Sequence, residues 1–453
     1  MIDVTRASGK SSFTGDSADI HRLVTEVRRG EVPACTPTGS RANQALAGLL
    51  TQDPGRLAPD APGSVFAADP RPEAAAPVPF LPRERLLTQD EQRVAVERFT
   101  QVLATGELTS GPAVAEFEGA LADFLAVPHA VGTGSGTDAL VIALRAVGVG
   151  HGDEVIMPAN SFAATENAVW LCGATPVLVD VEPERHTLDP ALVEAAIGPR
   201  TRAILPVHLY GRLADMEALA RVARRHGLRV VEDACQAIGV TGVGKHADAA
   251  ALSFNPYKNF GLTGKAGAVV TCQDEVADNA RRFAYHGFDP KQKNVKEGGY
   301  GLNARIDNAT AAIAVGLLPR LTLNNYRRAF LARRYLDGLA APEASGSVLL
   351  PAFGPDHAWH LFGVRVAAGP AARDAVRAHM RSTGRVETDV YYPVLTHRQQ
   401  TPLHRRLFGE TVLPVTERLH DTVLHLPLHN NLSLAEQDRV IEALHGAVRD
   451  TLH

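Results

Sequence analysis

From residue 153 to residue 271 the chain alternates between short β-rich apolar runs and helical stretches, and this alternation restricts the fold more than any other feature. The runs are DEVIMPA, TPVLVDV, TRAILPVHL, LRVVEDA, AALSFN and AGAVVT, and segments such as DPALVEAAI and DMEALARVARRHG lie between several of them. Strand, helix, strand at this spacing needs crossover connections, hence a mostly parallel central sheet covered by helices on both faces. Ligands then gather at the carboxyl ends of the strands. Ahead of the runs, LTQDEQRVAVERFTQVLAT, GPAVAEFEGALADFLAV and GTDALVIALRAVGV carry helical periodicity. After about Asn303 the chain turns helical through DNATAAIAVGLLPRLTLNNYRRAFLARRYLDGLA and continues as a smaller α+β region to His453.

The expected division is an N-terminal extension over 1–79, a large domain over 80–320 and a small C-terminal domain over 321–453. The extension holds one amphipathic stretch, with Ile20, Leu23, Val24 and Val27 at helical spacing after a Ser17 cap and a stop at Gly30. From Asp53 to Pro82 the prolines fix φ and remove backbone donors, so regular structure is not expected. Within that arm PVPFLP is apolar enough to lie on another surface.

Composition excludes several classes. Among 453 residues, 46 Lys+Arg face 50 Asp+Glu, a net charge of 46 − 50 = −4, which is the wrong balance for a nucleic-acid binder. No run of about 18 apolar residues could span a bilayer, and the N-terminal residues lack the apolar stretch of a secretion signal. Cys35, Cys172, Cys235 and Cys272 form no CxxC pair, so neither a metal site nor a redox dithiol is expected. A reducing, cytoplasmic setting is expected.

Three clusters carry chemistry. In VGTGSGTDALVIAL, Gly132, Gly134 and Gly136 let backbone amides approach an anion, Ser135 and Thr137 add hydroxyls, and the following helix presents its positive end. Thr137 stands where a third glycine would complete GxGxxG, so this is a phosphate cradle without the dinucleotide fingerprint, or else a tight loop with no ligand. In LRVVEDACQAIG, Glu232 and Asp233 close a strongly apolar strand and put an acid at the sheet's carboxyl edge. In ALSFNPYKNFGLTGKAGAVVT, Lys258 sits in a crowded loop between β-rich runs, a position suited to a depressed pKa and to imine chemistry, or else a solvated turn. A fourth pattern, Gly239, Gly244 and Lys245, fits GxxxxGK, but His246 replaces the magnesium-binding Ser or Thr and the match is chance. A phosphate cradle, a strand-end acid and a loop lysine, in that order at sheet edges, are what pyridoxal 5′-phosphate requires: one for its phosphate, one for its ring nitrogen, one for its aldehyde.

From about Phe80 onward the chain resembles the DegT/StrS-type sugar aminotransferases, fold-type I pyridoxal phosphate enzymes that aminate keto-sugars. The likeness rests on GTGSGTDAL, PANSFAATENAV, PVHLYG, VVEDACQAIG, SFNPYKNF and GKAGAVVT. It implies that Lys258 condenses with the cofactor's aldehyde, Asp233 pairs with the pyridine nitrogen and Gln236 binds the ring hydroxyl. It further implies that Phe162 stacks on the ring, while Gly136, Thr137 and Ser253 hold the phosphate. Asn303 matches an asparagine that reaches the phosphate of a neighbouring subunit, which implies a homodimer with shared active sites. Relatives with histidine in place of the lysine are dehydratases, so Lys258 favours transamination.

A finer likeness within the family, in PFLP, VIMPANSFAATENAV, SFNPYKNFGLTGKAGA, YHGF and DVYYPVL, implies glutamate as amino donor and a 3-keto sugar phosphate as acceptor. A nucleotide-linked keto-sugar is the alternative acceptor, and a non-catalytic protein on the same fold the alternative class. For the sugar phosphate, His286, Lys291, Lys293, Lys296 and Arg305 offer cations in a short span, and Tyr391, Tyr392 and His397 are candidates for the entrance. His208 and Tyr210 read equally well as core residues.

Overall fold

The expected runs pair into one sheet in the computed structural model, which describes residues 76–289, 292, 294–296 and 299–452. The helix expected after Ser17 and most of the proline-rich arm lie outside the described residues. The strands are β1 (His129–Thr133), β2 (Glu154–Pro158), β3 (Thr175–Val179), β4 (Thr201–Ile204), β5 (Arg229–Asp233), β6 (Ala249–Ser253) and β7 (Gly267–Thr271), in the order β1-β7-β6-β5-β4-β2-β3. β7 runs antiparallel to both β1 and β6, while the pairs from β6 through β5, β4 and β2 to β3 are parallel. Every residue of β6 and β7 is buried, as befits continuous apolar runs covered on two faces. Phe117, Leu121, Phe254 and Leu317 pack on one face, and Ile142, Met157, Val169 and Ala280 on the other.

β1 falls outside the expected runs. HAVGT has one strongly apolar residue, Val131, beside an alanine and a glycine, and its extended state comes from pairing along β7, with Thr133 opposite Gly267. Local chemistry sets the helix ends more plainly. Thr88 caps Gln89–Thr105 in a reciprocal box with Glu91, its backbone amide donating to Glu91 Oε2 at 2.8 Å. The long C-terminal helical pattern breaks at Pro319, which separates the helices Asn308–Leu317 and Leu321–Gly338 by a short 3₁₀ turn.

A second, antiparallel sheet of β8 (Val348–Leu349), β9 (Phe362–Val366) and β10 (Val423–Leu426), in the order β10-β9-β8, packs with the helices Leu321–Gly338, Pro370–Ser382 and Leu434–Leu452. Tyr335, Trp359, Phe362 and Leu444 lie in its core. Val78 joins that core: it is fully buried, its amide donates to Arg385 O at 2.8 Å, and its carbonyl accepts from Glu387 N at 2.9 Å. The PVPFLP segment therefore does lie on another surface. The GxxxxGK pattern is a run of turns in which the Gly244 amide donates to buried Glu232 Oε2 at 2.9 Å, and β6 rather than a helix follows. Among the described residues no helix is long and apolar enough to cross a membrane.

Candidate active site

Strand register decides which loops meet. Asp233 ends β5 opposite Ala251 of β6; Ser253 ends β6 opposite Gly267; Gly267 in turn faces Thr133, the last residue of β1. The segments leaving β1, β5 and β6 and the one entering β7 thus share one edge. There they wall a cavity of about 520 Å³ that is lined by Ser135, Gly136, Thr137, Phe162, Asp233, Gln236, Ser253 and Lys258.

The helix Gly136–Ala146 begins at this cavity. Ser135 caps it, accepting from Asp138 N at 3.1 Å and donating its hydroxyl to Asp138 Oδ2 at 2.7 Å. Its hydroxyl proton is thereby committed, so what Ser135 can offer an anion is its position at the helix end, not a free donor. Gly136 packs so tightly that an added Cβ would stand 2.6 Å from Ser253 Cβ and 3.3 Å from Cys235 Sγ. Helix start and Ser253 hydroxyl therefore share one corner, where free amides and the helix dipole favour a phosphate.

Asp233 is buried. Thr165 donates to its Oδ2 at 2.6 Å and the Cys235 amide to its Oδ1 at 3.2 Å. The Lys258 amide donates to Asn255 O at 2.8 Å, but its Nζ makes no hydrogen bond or ion pair among the described residues, and burial pushes its pKa down from the ordinary lysine value, against the opposing pull of Cys235 and Asp233. The same surroundings push the Cys235 thiol up, through burial first and the Asp233 charge second. Gln236 is held at both ends: its Oε1 accepts from Tyr210 N at 2.8 Å and its Nε2 donates to Tyr392 Oη at 3.2 Å. Phe162 stands half-exposed at the start of the helix Ala163–Leu171, its ring centroid 5.6 Å from that of Tyr392.

The other expected residues divide. Tyr391 and Tyr392 line the cavity. His397 does not: its buried ring turns to Glu417, with Nε2 3.0 Å from Oε1. His286 is half-buried beside Tyr285 and Phe288, away from the cavity. Arg305 is exposed, with its guanidinium carbon 3.5 Å from the Tyr285 ring centroid, and Asn303 is exposed and backbone-paired with Tyr285. Neither lines this chain's own cavity. Lys291 and Lys293 lie outside the described residues. Tyr210 and His208 are buried core groups, His208 with its Nε2 3.2 Å from Glu232 Oε2.

Sequence reasoning passed over Thr165, Lys265, Arg328 and His360. Thr165 meets Asp233 across 68 positions, and the last three line the cavity from a pre-strand turn, a helix and the small sheet's loop. Thr165 and Lys265 lie within the runs PANSFAATENAV and GKAGAVVT, and Arg328 within the helical run after Asn303, but nothing in their local pattern marks a role; His360 lies in none of these runs. The residues present fit pyridoxal phosphate: a cradle at a helix end, a buried carboxylate and an amine without a partner face one chamber.

Comparison with known proteins agrees. The model of the DegT/DnrJ/EryC1/StrS aminotransferase family matches residues 89–445. The 3-oxo-glucose-6-phosphate:glutamate aminotransferase of Bacillus subtilis is 47% identical over 375 residues, covering 83% of this chain and 85% of that protein. The dTDP-3-amino-3,4,6-trideoxy-alpha-D-glucose transaminase of Streptomyces venezuelae is 41% identical, covering 81% of this chain and 95% of the other. A crystal structure of NtdA from Bacillus subtilis with bound cofactor PMP superposes with a TM-score of 0.85 at 41% identity, covering 96% of this chain and 98% of that one.

Proposed function

The chain belongs to the DegT/DnrJ/EryC1/StrS aminotransferase family and is a pyridoxal phosphate-dependent aminotransferase, and from that premise we propose that it moves an amino group from glutamate to 3-oxo-glucose 6-phosphate, forming kanosamine 6-phosphate. The observation that carries the choice of substrates is the 47% identity, over most of the chain, to a relative named for that donor and that acceptor.

When bound, pyridoxal phosphate supplies an electron sink for negative charge at the carbon that carries the nitrogen. The chain's own residues do the rest. The Gly136–Thr137 amides and the Ser253 hydroxyl hold the phosphate. Asp233, fixed by Thr165, supplies the anion that keeps the ring nitrogen protonated. Gln236 would orient the ring hydroxyl and Phe162 would cover the ring. Lys258 Nζ takes the proton from the donor's α-carbon and later returns one to the acceptor's. Water exclusion by Tyr391, Tyr392 and Phe80 protects these transfers. Exposed Asn303 serves the site of a second copy, making the working unit a homodimer with shared sites.

The test separates the half-reactions. Glutamate should bleach the visible absorbance of the loaded enzyme and release 2-oxoglutarate; 3-oxo-glucose 6-phosphate should then restore the absorbance and yield an amino sugar phosphate by mass spectrometry. Restoration only by UDP- or dTDP-linked keto-sugars would replace the acceptor. A protein that takes up no cofactor would overturn the enzyme reading.

A further inference from the structure

His360, 6% exposed, lies in the loop before β9 and lines the cavity that Lys258 also lines. A chain of amides fixes its protonation. Asn325 Nδ2 donates to Ile238 O at 2.9 Å, so Asn325 Oδ1 must accept, and Asn259 Nδ2 donates to it at 2.9 Å. That nitrogen also donates to Ala358 O at 2.7 Å, an acceptor only, which sets the orientation of the Asn259 amide independently. Asn259 Oδ1, 3.2 Å from His360 Nδ1, is then an acceptor too, and Nδ1 must carry the proton. In the neutral ring Nε2 is a bare lone pair, with no hydrogen-bond partner among the described residues.

The ring stays neutral. Burial lowers its pKa well below the ordinary value, and the groups facing it all push the same way: Lys258 from the adjoining loop, Arg328 from its helix, His425 from β10 and His357 from its own loop. Arg328 also pins the segment, donating from Nη1 to the carbonyls of Trp359, His360 and Leu428 at 3.2, 3.0 and 3.1 Å.

The other polar groups of the wall differ. Lys258, Lys265 and Arg328 are donors, Gln236 and Asp233 belong to the cofactor's ring in the reading above, and the hydroxyls of Ser253, Tyr257, Tyr391 and Tyr392 can donate as well as accept, so that Nε2 of neutral His360 stands out as a side-chain group that can only accept. A carboxylate or phosphate brings acceptors and finds nothing to gain at a bare Nε2, whereas a sugar hydroxyl brings a donor. We propose that His360 is a specificity-determining residue whose Nε2 accepts a hydrogen bond from a ring hydroxyl of the keto-sugar and so serves the sugar half-reaction rather than the glutamate half-reaction. The inference rests on the sugar-acceptor reading above.

Two variants test it by single-turnover absorbance. His360→Asn keeps a donor where Nδ1 meets Asn259 and removes the acceptor at Nε2; His360→Gln places an amide near Nε2. For His360→Asn the glutamate half-reaction should stay within about twofold of wild type, while the sugar half-reaction slows roughly ten- to a hundredfold, the effect of one hydroxyl left unpaired in a buried site. His360→Gln should recover part of that loss. An acceptor lacking the hydroxyl should be slow with wild type and no slower with His360→Asn. Equal slowing of both half-reactions, or of neither, would overturn the role. A wild-type enzyme that bleaches with glutamate yet is not restored by any keto-sugar would instead overturn the acceptor reading, so the two failures are distinguishable.

Discussion

Thr165 and Lys258 show how single groups set the chemistry. The Thr165 hydroxyl is a buried donor to the Asp233 carboxylate at 2.6 Å, and hydrogen bonds to charged groups contribute about 1.5–3 kcal/mol. Thr165→Val should therefore slow the glutamate half-reaction roughly tenfold or more while the cofactor stays bound, and Asp233→Asn should slow it on the order of a hundredfold or more; single-turnover rates check both. For Lys258 the sign follows from burial, which lowers its folded-state pKa below the unfolded value of about 10.4. Between those two values the unfolded chain binds more protons, so the cofactor-free protein gains stability as pH rises through that window and bears the full burial cost below it. Cofactor-free Lys258→Met should accordingly melt above wild type at neutral pH, with the gap closing as pH climbs; equal melting curves at every pH would contradict this. Lys258 and Asp233 were legible because each sits in a distinctive local run. Thr165 was not, because only the fold brings it to its partner.

At the level of elements, what could be read was what depends on neighbours in sequence. Continuous apolar runs read as buried strands, and the Thr88–Glu91 box and Pro319 set where helices start and break. β1 escaped because HAVGT has little intrinsic strand preference and is held extended by β7. The meeting of the helix Gly136–Ala146 with the end of β6 is the contact on which the cradle depends. Gly136→Ala would place a methyl 2.6 Å from Ser253 Cβ, forcing the two elements apart. It should cost about 1–3 kcal/mol in stability and weaken cofactor retention more than it changes the helix itself, as shown by urea unfolding of the cofactor-free protein and by cofactor loss on dialysis.

In the whole molecule, the second sheet and the segment before residue 82 complete the chamber that the large sheet opens. Phe80 and Leu81 line it, and Val78 fastens that segment into the small sheet's core. Val78→Ala should lower stability by about 2 kcal/mol and raise KM more than it lowers kcat, since it loosens a wall without touching a reacting group. The proposed homodimer has its own test. Lys258→Ala and Asn303→Ala, each impaired by itself, should on mixing and reassortment recover about one quarter of wild-type activity, because a mixed dimer then holds one complete site. No recovery would place Asn303 outside its neighbour's site.

The alternation of β-rich and helical runs already committed the chain to its layered sheet, and the order of glycine-rich helix start, strand-end acid and loop lysine to its cofactor, since backbone period, side-chain type and ring chemistry act over a few neighbouring residues. Which hydroxyl braces Asp233, which histidine presents a lone pair, and that His397 turns to Glu417 while Tyr391 faces the chamber followed from packing across tens to hundreds of positions. Such contacts form only when the sheets and helices close on one another, and no local signal records them.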